Sequence, residues 1–276
     1  MEKTTTIGFI GAGNMAYALI TGLINGGFSA NNIKVSDKDE ALLLQREADF
    51  GVETFTDNVQ LAKRCGVIVF AVKPEVLSTV CTELQAHRTH NPLIISIVAG
   101  AKSSSINRWL GGKAAIVRAM PNTPALLGVG ATGMVANEAV NAEQKILTER
   151  ILSAVGQCVW VATDNMLNAV TALSGSGPAY FFLMIESMVN AGVALGLEED
   201  TAKKLSIQTA LGASKMADQS ADSPHQLRAK VTSKNGTTQA AIESFQAQDF
   251  EFVVAHAMRA AFERAEEIGF TLDNDA

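Results

Sequence analysis

Up to about residue 160 the chain alternates short apolar, β-branched runs with longer amphipathic stretches, the pattern of strand-helix-strand units that feed a parallel sheet. Strands are predicted over Thr6–Ile10, Ile33–Val35, Val67–Ala71, Leu93–Ile97, Ala115–Arg118, Gly133–Val135 and Cys158–Val161. Val67-Ile68-Val69-Phe70-Ala71 has no polar position, as expected of a strand covered by helices on both faces. Helices are predicted over Asn14–Asn25, Lys38–Asp49, Asn58–Cys65, Glu75–Ala86 and Ala142–Ala154. Beyond about residue 165 the strand pattern stops. A helix that is apolar nearly all round, from Pro178 to Leu195, is followed by an amphipathic one from Glu198 to Met216, a polar break at Asp218–Pro224 and two shorter helices. One neighbour cannot cover a helix that is apolar on every side, so the first of these is expected inside a bundle shared with a second subunit. The expected boundary divides the chain into 1–164 and 165–276.

Composition narrows the possible functions. At 276 residues, with 47% hydrophobic and 18% charged positions, the chain suits one full domain plus a smaller partner and excludes a disordered scaffold. A net charge of −6 without a Lys/Arg cluster argues against sequence-independent nucleic-acid binding. Cys65, Cys81 and Cys158 form no C-x-x-C pair, so neither a disulfide framework nor a zinc site is expected. His87 and His90 lie in a polar stretch, His87-Arg88-Thr89-His90, and read as solvent-facing, which leaves no metal site. The start Met1-Glu2-Lys3-Thr4-Thr5-Thr6 lacks a signal-peptide pattern, and Glu186 and Asn190 interrupt the longest apolar stretch. A cytoplasmic protein with a small-molecule partner is expected.

The chemistry begins at Ile10-Gly11-Ala12-Gly13-Asn14-Met15-Ala16, a G-x-G-x-x-A turn directly after a strand and opening a helix. Gly11 suits a tight turn, Gly13 lets a diphosphate approach the backbone, and Ala16 allows close packing of helix on strand. The helix start then offers free N–H groups to an anion. This predicts a Rossmann-type doubly wound sheet in the N-terminal domain, with nicotinamide dinucleotide as cofactor. At the end of the second strand Asp37 suits the ribose hydroxyl of NADH, whereas Ser36 and Lys38 suit the 2′-phosphate of NADPH; NADPH is the expected cofactor. Asp37 as a plain helix cap is the other reading. Ala71-Val72-Lys73-Pro74 and the small-residue turn containing Val98 and Ala99 follow strands at the edge where ligands of such sheets bind, and Asn58 opens the predicted helix that precedes the strand Val67–Ala71.

Two further stretches, Arg118-Ala119-Met120-Pro121-Asn122-Thr123-Pro124 and Ser174-Gly175-Ser176-Gly177-Pro178-Ala179-Tyr180, precede Val231-Thr232-Ser233-Lys234-Asn235-Gly236-Thr237-Thr238. With the glycine turn and Ala71–Pro74, these segments in order resemble the pyrroline-5-carboxylate reductase family over essentially the whole chain. The resemblance implies a Rossmann domain followed by an all-helical C-terminal dimerisation domain, homodimers that build decamers, and reduction of L-1-pyrroline-5-carboxylate to L-proline by hydride transfer from NADPH or NADH to the imine carbon. It places Asn122 among the cofactor contacts. It gives Ser233, Thr237 and Thr238 the grip on the substrate, with Thr238 donating to the ring nitrogen. Asp164 matches an acidic substrate-site position in some relatives.

The residues themselves agree with that placement. A tight loop running into a helix start presents backbone donors to a carboxylate, so Asn235 and Gly236 join the candidate substrate contacts, although a plain threonine helix cap would give the same pattern. The family usually reads Ser-Pro-Gly-Gly where this chain has Ser233-Lys234-Asn235-Gly236; Asn tolerates left-handed backbone angles, so the loop shape is expected to survive. The β-hydroxyacid dehydrogenases share the layout but need a lysine four residues after a glycine on the long helix, and here that position is Phe181. A catalytically silent dinucleotide sensor would need no second anion-binding helix start.

Overall fold

The computed structural model describes residues 5–87 and 90–274, so Arg88 and Thr89 of the histidine stretch, and the first four residues, lie outside the described residues. The first elements are β1 (Ile7–Ile10), α1 (Asn14–Asn25), β2 (Ile33–Ser36), α2 (Glu40–Phe50), β3 (Glu53–Phe55), α3 (Asn58–Ala62), β4 (Val67–Phe70) and α4 (Pro74–Ala86). They continue with β5 (Leu93–Ser96), α5 (Ser103–Trp109), β6 (Ile116–Met120), β7 (Gly130–Ala136), α6 (Ala142–Leu152), β8 (Gly156–Trp160) and α7 (Asp164–Val170). The strands form one sheet in the order β3-β2-β1-β4-β5-β6-β7-β8. The step from β1 to β2 on one side and to β4 on the other makes a switch point at the carboxyl end of β1, where the glycine turn sits.

Each central strand buries alternate residues on opposite faces. Val67 and Val69 point into a core with Phe9, Leu19, Leu23, Val35, Ile95 and Ile151, while Ile68 and Phe70 join Leu61, Leu77, Cys81, Ile94 and Ile106 on the other side. The antiparallel step between β6 and β7 departs from an all-parallel expectation. Only a turn containing a short 3₁₀ helix, Thr123–Leu127, connects these strands, too short for the crossover that a parallel pair requires.

The helical part contains α8 (Gly177–Ala194), α9 (Glu199–Gln219), α10 (Pro224–Lys230), α11 (Thr237–Ala247) and α12 (Phe250–Asn274). Two shorter helices were expected at the end of the chain; among the described residues there are three, and α12, with 25 residues, is the longest helix. Two compact units result, Met1–Ser176 with Ala261–Ala276, and Gly177–Ala260. The expected boundary at 164/165 therefore falls inside the first unit, because α7 packs on β6 and β7. In the second unit only Gly177, Ala202 and Ser206 are buried. No helix among the described residues is long and apolar enough to cross a membrane.

Candidate active site

The glycine turn is built as its residue types require. Gly11 has φ +102°, and a Cβ there would lie 2.5 Å from the Ala71 carbonyl oxygen, so both the backbone angle and the approach of the β4 turn demand glycine. Ala71 N–H in turn donates to Ile10 O at 2.8 Å, which holds Ala71 and Val72 beside the turn. Gly13 caps α1 with no side-chain hydrogen bond, and Tyr17 makes the first intrahelical bond, to Gly13 O. The amides of Asn14, Met15 and Ala16 are thus the unsatisfied donors of the helix start. A Cβ at Gly13 would meet nothing within 4 Å, so space lies open beside them. Uncapped donors beside open space fit the diphosphate of a dinucleotide.

At the end of β2 the side chains are already engaged. Ser36 is fully buried, and its hydroxyl donates to Asn58 Oδ1 at 2.8 Å, which brings Asn58 to the site while holding the hydroxyl inside the fold. The Asp37 carboxylate accepts Ala12 N–H at 2.8 Å through Oδ2 and Asp39 N–H at 3.1 Å through Oδ1. Asp37 is not the helix cap; that is Asp39, which accepts Leu42 N–H at 3.1 Å. Lys38 is exposed. Arg46 of α2, which no sequence signal marked, donates from Nε to Ala12 O at 3.0 Å.

The other edge loops are tied to the sheet. Lys73 is exposed at the cap of α4 and Pro74 occupies its first turn, as its missing N–H favours. Val98 is buried and its N–H donates to Ser96 Oγ at 3.4 Å, with Ala99 beside it half-buried. Asn122 is buried, donates to Ser174 O at 3.0 Å and accepts Ala131 N–H at 2.9 Å, so much of its hydrogen-bonding capacity serves the fold. Asp164 is similarly committed: it pairs with Arg118 at 2.7 Å and accepts from the Ser103 hydroxyl at 2.6 Å. It closes the start of α5 instead of standing as an unpaired acid.

In the second unit Ser233 to Gly236 form a turn closed by Gly236 N–H donating to Ser233 O at 3.0 Å. Asn235 has φ +59°, so it takes the left-handed angle expected of it. Gly236, not a threonine, caps α11, and no side chain caps the helix. Thr237 and Thr238 are therefore its first two residues, and the plain threonine cap is excluded. A Cβ at Gly236 would come 2.4 Å from Ser233 Oγ, so glycine leaves room for that hydroxyl. Gln239 accepts Asn235 N–H at 2.7 Å, a bracing contact foreshadowed by Gln at the third helical position. The structure brings the glycine turn, Asp37, Asn58 and the Ala71 turn together in the first unit; Ser233–Thr238 cluster in the second.

Residues 164–268 match the family described as pyrroline-5-carboxylate reductase dimerisation, and residues 6–100 match that described as NADP oxidoreductase, coenzyme F420-dependent. The pyrroline-5-carboxylate reductase of Pseudomonas aeruginosa is 45% identical over 266 residues, spanning 96% of this chain and 97% of its own. The solved enzyme of that name from Coxiella burnetii superposes with a TM-score of 0.92 at 42% identity, covering 96% of this chain and 98% of its own. The pyrroline carboxylate reductase of Plasmodium falciparum, solved with NADP bound, gives 0.86 at 30% identity over 97% and 99%. With such identity along nearly its entire length and the matching fold, the chain belongs to the pyrroline-5-carboxylate reductases, the oxidoreductases that reduce this cyclic imine to proline.

Proposed function

We propose that residues 1–164 hold NAD(P)H on the glycine turn and that residues 165–276 supply dimerisation and the grip on pyrroline-5-carboxylate. The observation that carries the substrate assignment is the start of α11, where Gly236 is the cap, no side chain satisfies the first amides, and two hydroxyls follow. A carboxylate complements such an end. In this reading Ser233, Asn235, Gly236 and Thr237 hold the substrate carboxylate, and the Thr238 hydroxyl donates to the ring nitrogen. When bound, the dinucleotide supplies the hydride that the imine carbon accepts. A protonated imine is already electrophilic and gains a nitrogen lone pair as hydride arrives, which is what the Thr238 hydroxyl donates to, so orientation and one modest donor suffice without a strong acid or base.

The test is turnover of pyrroline-5-carboxylate by Thr238→Ala. Its kcat/KM is expected to fall about 100-fold, at the lower end for loss of a group that assists proton transfer, while Thr238→Ser retains most of it. Wild-type turnover by Thr238→Ala would remove the assignment.

Ile10 to Met15, Asn58, Ala71 to Pro74, Val98, Ala99 and Asn122 are the proposed dinucleotide contacts, with NADPH as the preferred form. Exposed Lys38 at the end of β2 supports that preference, as does the NADP-bound Plasmodium relative. A second reading, NADH, is supported by the Asp37 carboxylate, which a 2′-phosphate would have to approach. The ratio of kcat/KM for the two dinucleotides decides between them. The enzyme is further proposed to act in the cytoplasm as a homodimer or as decamers built from dimers.

A further inference from the structure

We propose that Arg46 is a positioning residue for the dinucleotide site, holding the glycine turn in its anion-accepting form from the side opposite Asp37. The inference rests on the reading that this turn binds the dinucleotide. The peptide groups flanking Ala12 are fixed at both ends: Ala12 N–H donates to Asp37 Oδ2 at 2.8 Å, and Ala12 C=O accepts from Arg46 Nε at 3.0 Å. A carbonyl of this turn directed at the ligand would repel phosphate oxygens; one bound to a guanidinium is turned away from them, leaving the amides of Asn14, Met15 and Ala16 as the donors offered.

The setting of Arg46 fits this role better than that of a surface cation. Its side chain is only 5% exposed, and its ion-pair partner among the described residues, Asp49, lies at the long distance of 3.5 Å. Burying a guanidinium so deeply is costly unless its donors are used. The group is held in place by the Tyr17 ring, 4.6 Å from Cζ to the ring centroid, and Tyr17 packs against Phe50 with ring centroids 4.9 Å apart. Tyr17 is on α1 and Phe50 ends α2, so the guanidinium is braced by both helices that flank the turn.

The test compares Arg46→Met, Arg46→Lys and Leu43→Ala. Leu43 is also buried on α2 but its apolar side chain has no donor to offer the turn, so its truncation loosens the helix alone. The Kd for NADH and NADPH, read from the fluorescence of the reduced nicotinamide, is expected to rise about tenfold in Arg46→Met, the loss of one charge-assisted hydrogen bond. Arg46→Lys should recover part of it. Leu43→Ala should lower Tm and leave Kd within twofold of wild type, and the KM for pyrroline-5-carboxylate at saturating dinucleotide should not move in any variant. The proposal is overturned if Arg46→Met lowers Tm without changing Kd, or if Leu43→Ala raises Kd as much. Gly13→Val separates the two readings: if it binds dinucleotide like wild type, the glycine-turn assignment itself fails.

Discussion

Gly236 shows how one missing methyl can matter to a carboxylate grip. A Cβ at this position would come 2.4 Å from Ser233 Oγ and 3.0 Å from Ser233 O, the oxygen that closes the turn. Gly236→Ala should therefore push the Ser233 hydroxyl aside without unwinding α11, whose backbone angles at the cap (φ −86°, ψ 168°) alanine adopts freely. The expected result is a KM for pyrroline-5-carboxylate raised about tenfold, as for loss of one hydrogen bond to a charged group, with dinucleotide Kd unchanged. Steady-state kinetics at saturating dinucleotide check it; an unchanged KM would mean that Ser233 does not touch substrate. Single residues were also where sequence was least informative. Gly11, Gly13 and Asn235 announce their backbone roles through residue type alone. Ser36 and Asn122 look like ligand contacts in sequence, yet the fold spends much of their hydrogen-bonding capacity internally. Arg46 looked like one more charge on an amphipathic helix, because nothing local reveals that it reaches Ala12, 34 positions away.

Among elements, the end of α12 has the clearest consequence. Asp273 accepts hydrogen bonds from Ser105 and from Lys102 Nζ, tying the last turn of α12 to α5 and to the loop that carries Val98 and Ala99. Burial pushes the Asp273 carboxyl up, but the Ser105 and Lys102 hydrogen bonds, with the charges of Lys102 and Arg108, outweigh it and hold the group below the usual carboxylate range. A depressed folded-state pKa means that this tie stabilises the protein above the unfolded pKa of about 3.9 and is lost as pH falls through the lower, folded value. Asp273→Asn should thus lower Tm at about pH 7, and its difference from wild type should narrow as pH falls below about 3.9 through the lower folded-state value. A difference independent of pH would assign the effect to packing. The same element runs longer than the two shorter helices expected there. Gly269 lies inside α12, and a Cβ there would sit 2.9 Å from Gly100 O, so the close approach favours glycine. The strand β3 escaped notice because it is three residues on the sheet edge, Glu53-Thr54-Phe55, with only partial burial and no apolar run. The continuous apolar strands β4 and β5 were legible because both faces are covered.

At the scale of the molecule, the two units differ in how they could be stable. The first has two extensive cores, one on each face of its sheet. The second buries only Gly177, Ala202 and Ser206, while Phe181, Phe182 and Leu183 are exposed by 62%, 64% and 64% and Phe252 by 69%. Helices with so little buried surface cannot offset the entropy of ordering their backbone, at about 1–2 kcal/mol per residue. Contiguous exposed apolar surface of this kind marks an interface, in agreement with the dimerisation family matched over residues 164–268. If the helical unit gains its core only from a second chain, stability must depend on protomer concentration. The Tm of the wild type should rise with protein concentration through the micromolar range, and sedimentation should give a dimer or a multiple of it. Phe252→Glu, placing a charge on the exposed apolar face of α12, should shift the population toward monomer, make Tm independent of concentration and reduce helical content measured by circular dichroism. A wild type that sediments as a monomer with concentration-independent Tm would show that the helical unit stands alone, against the weight of its exposed phenylalanines.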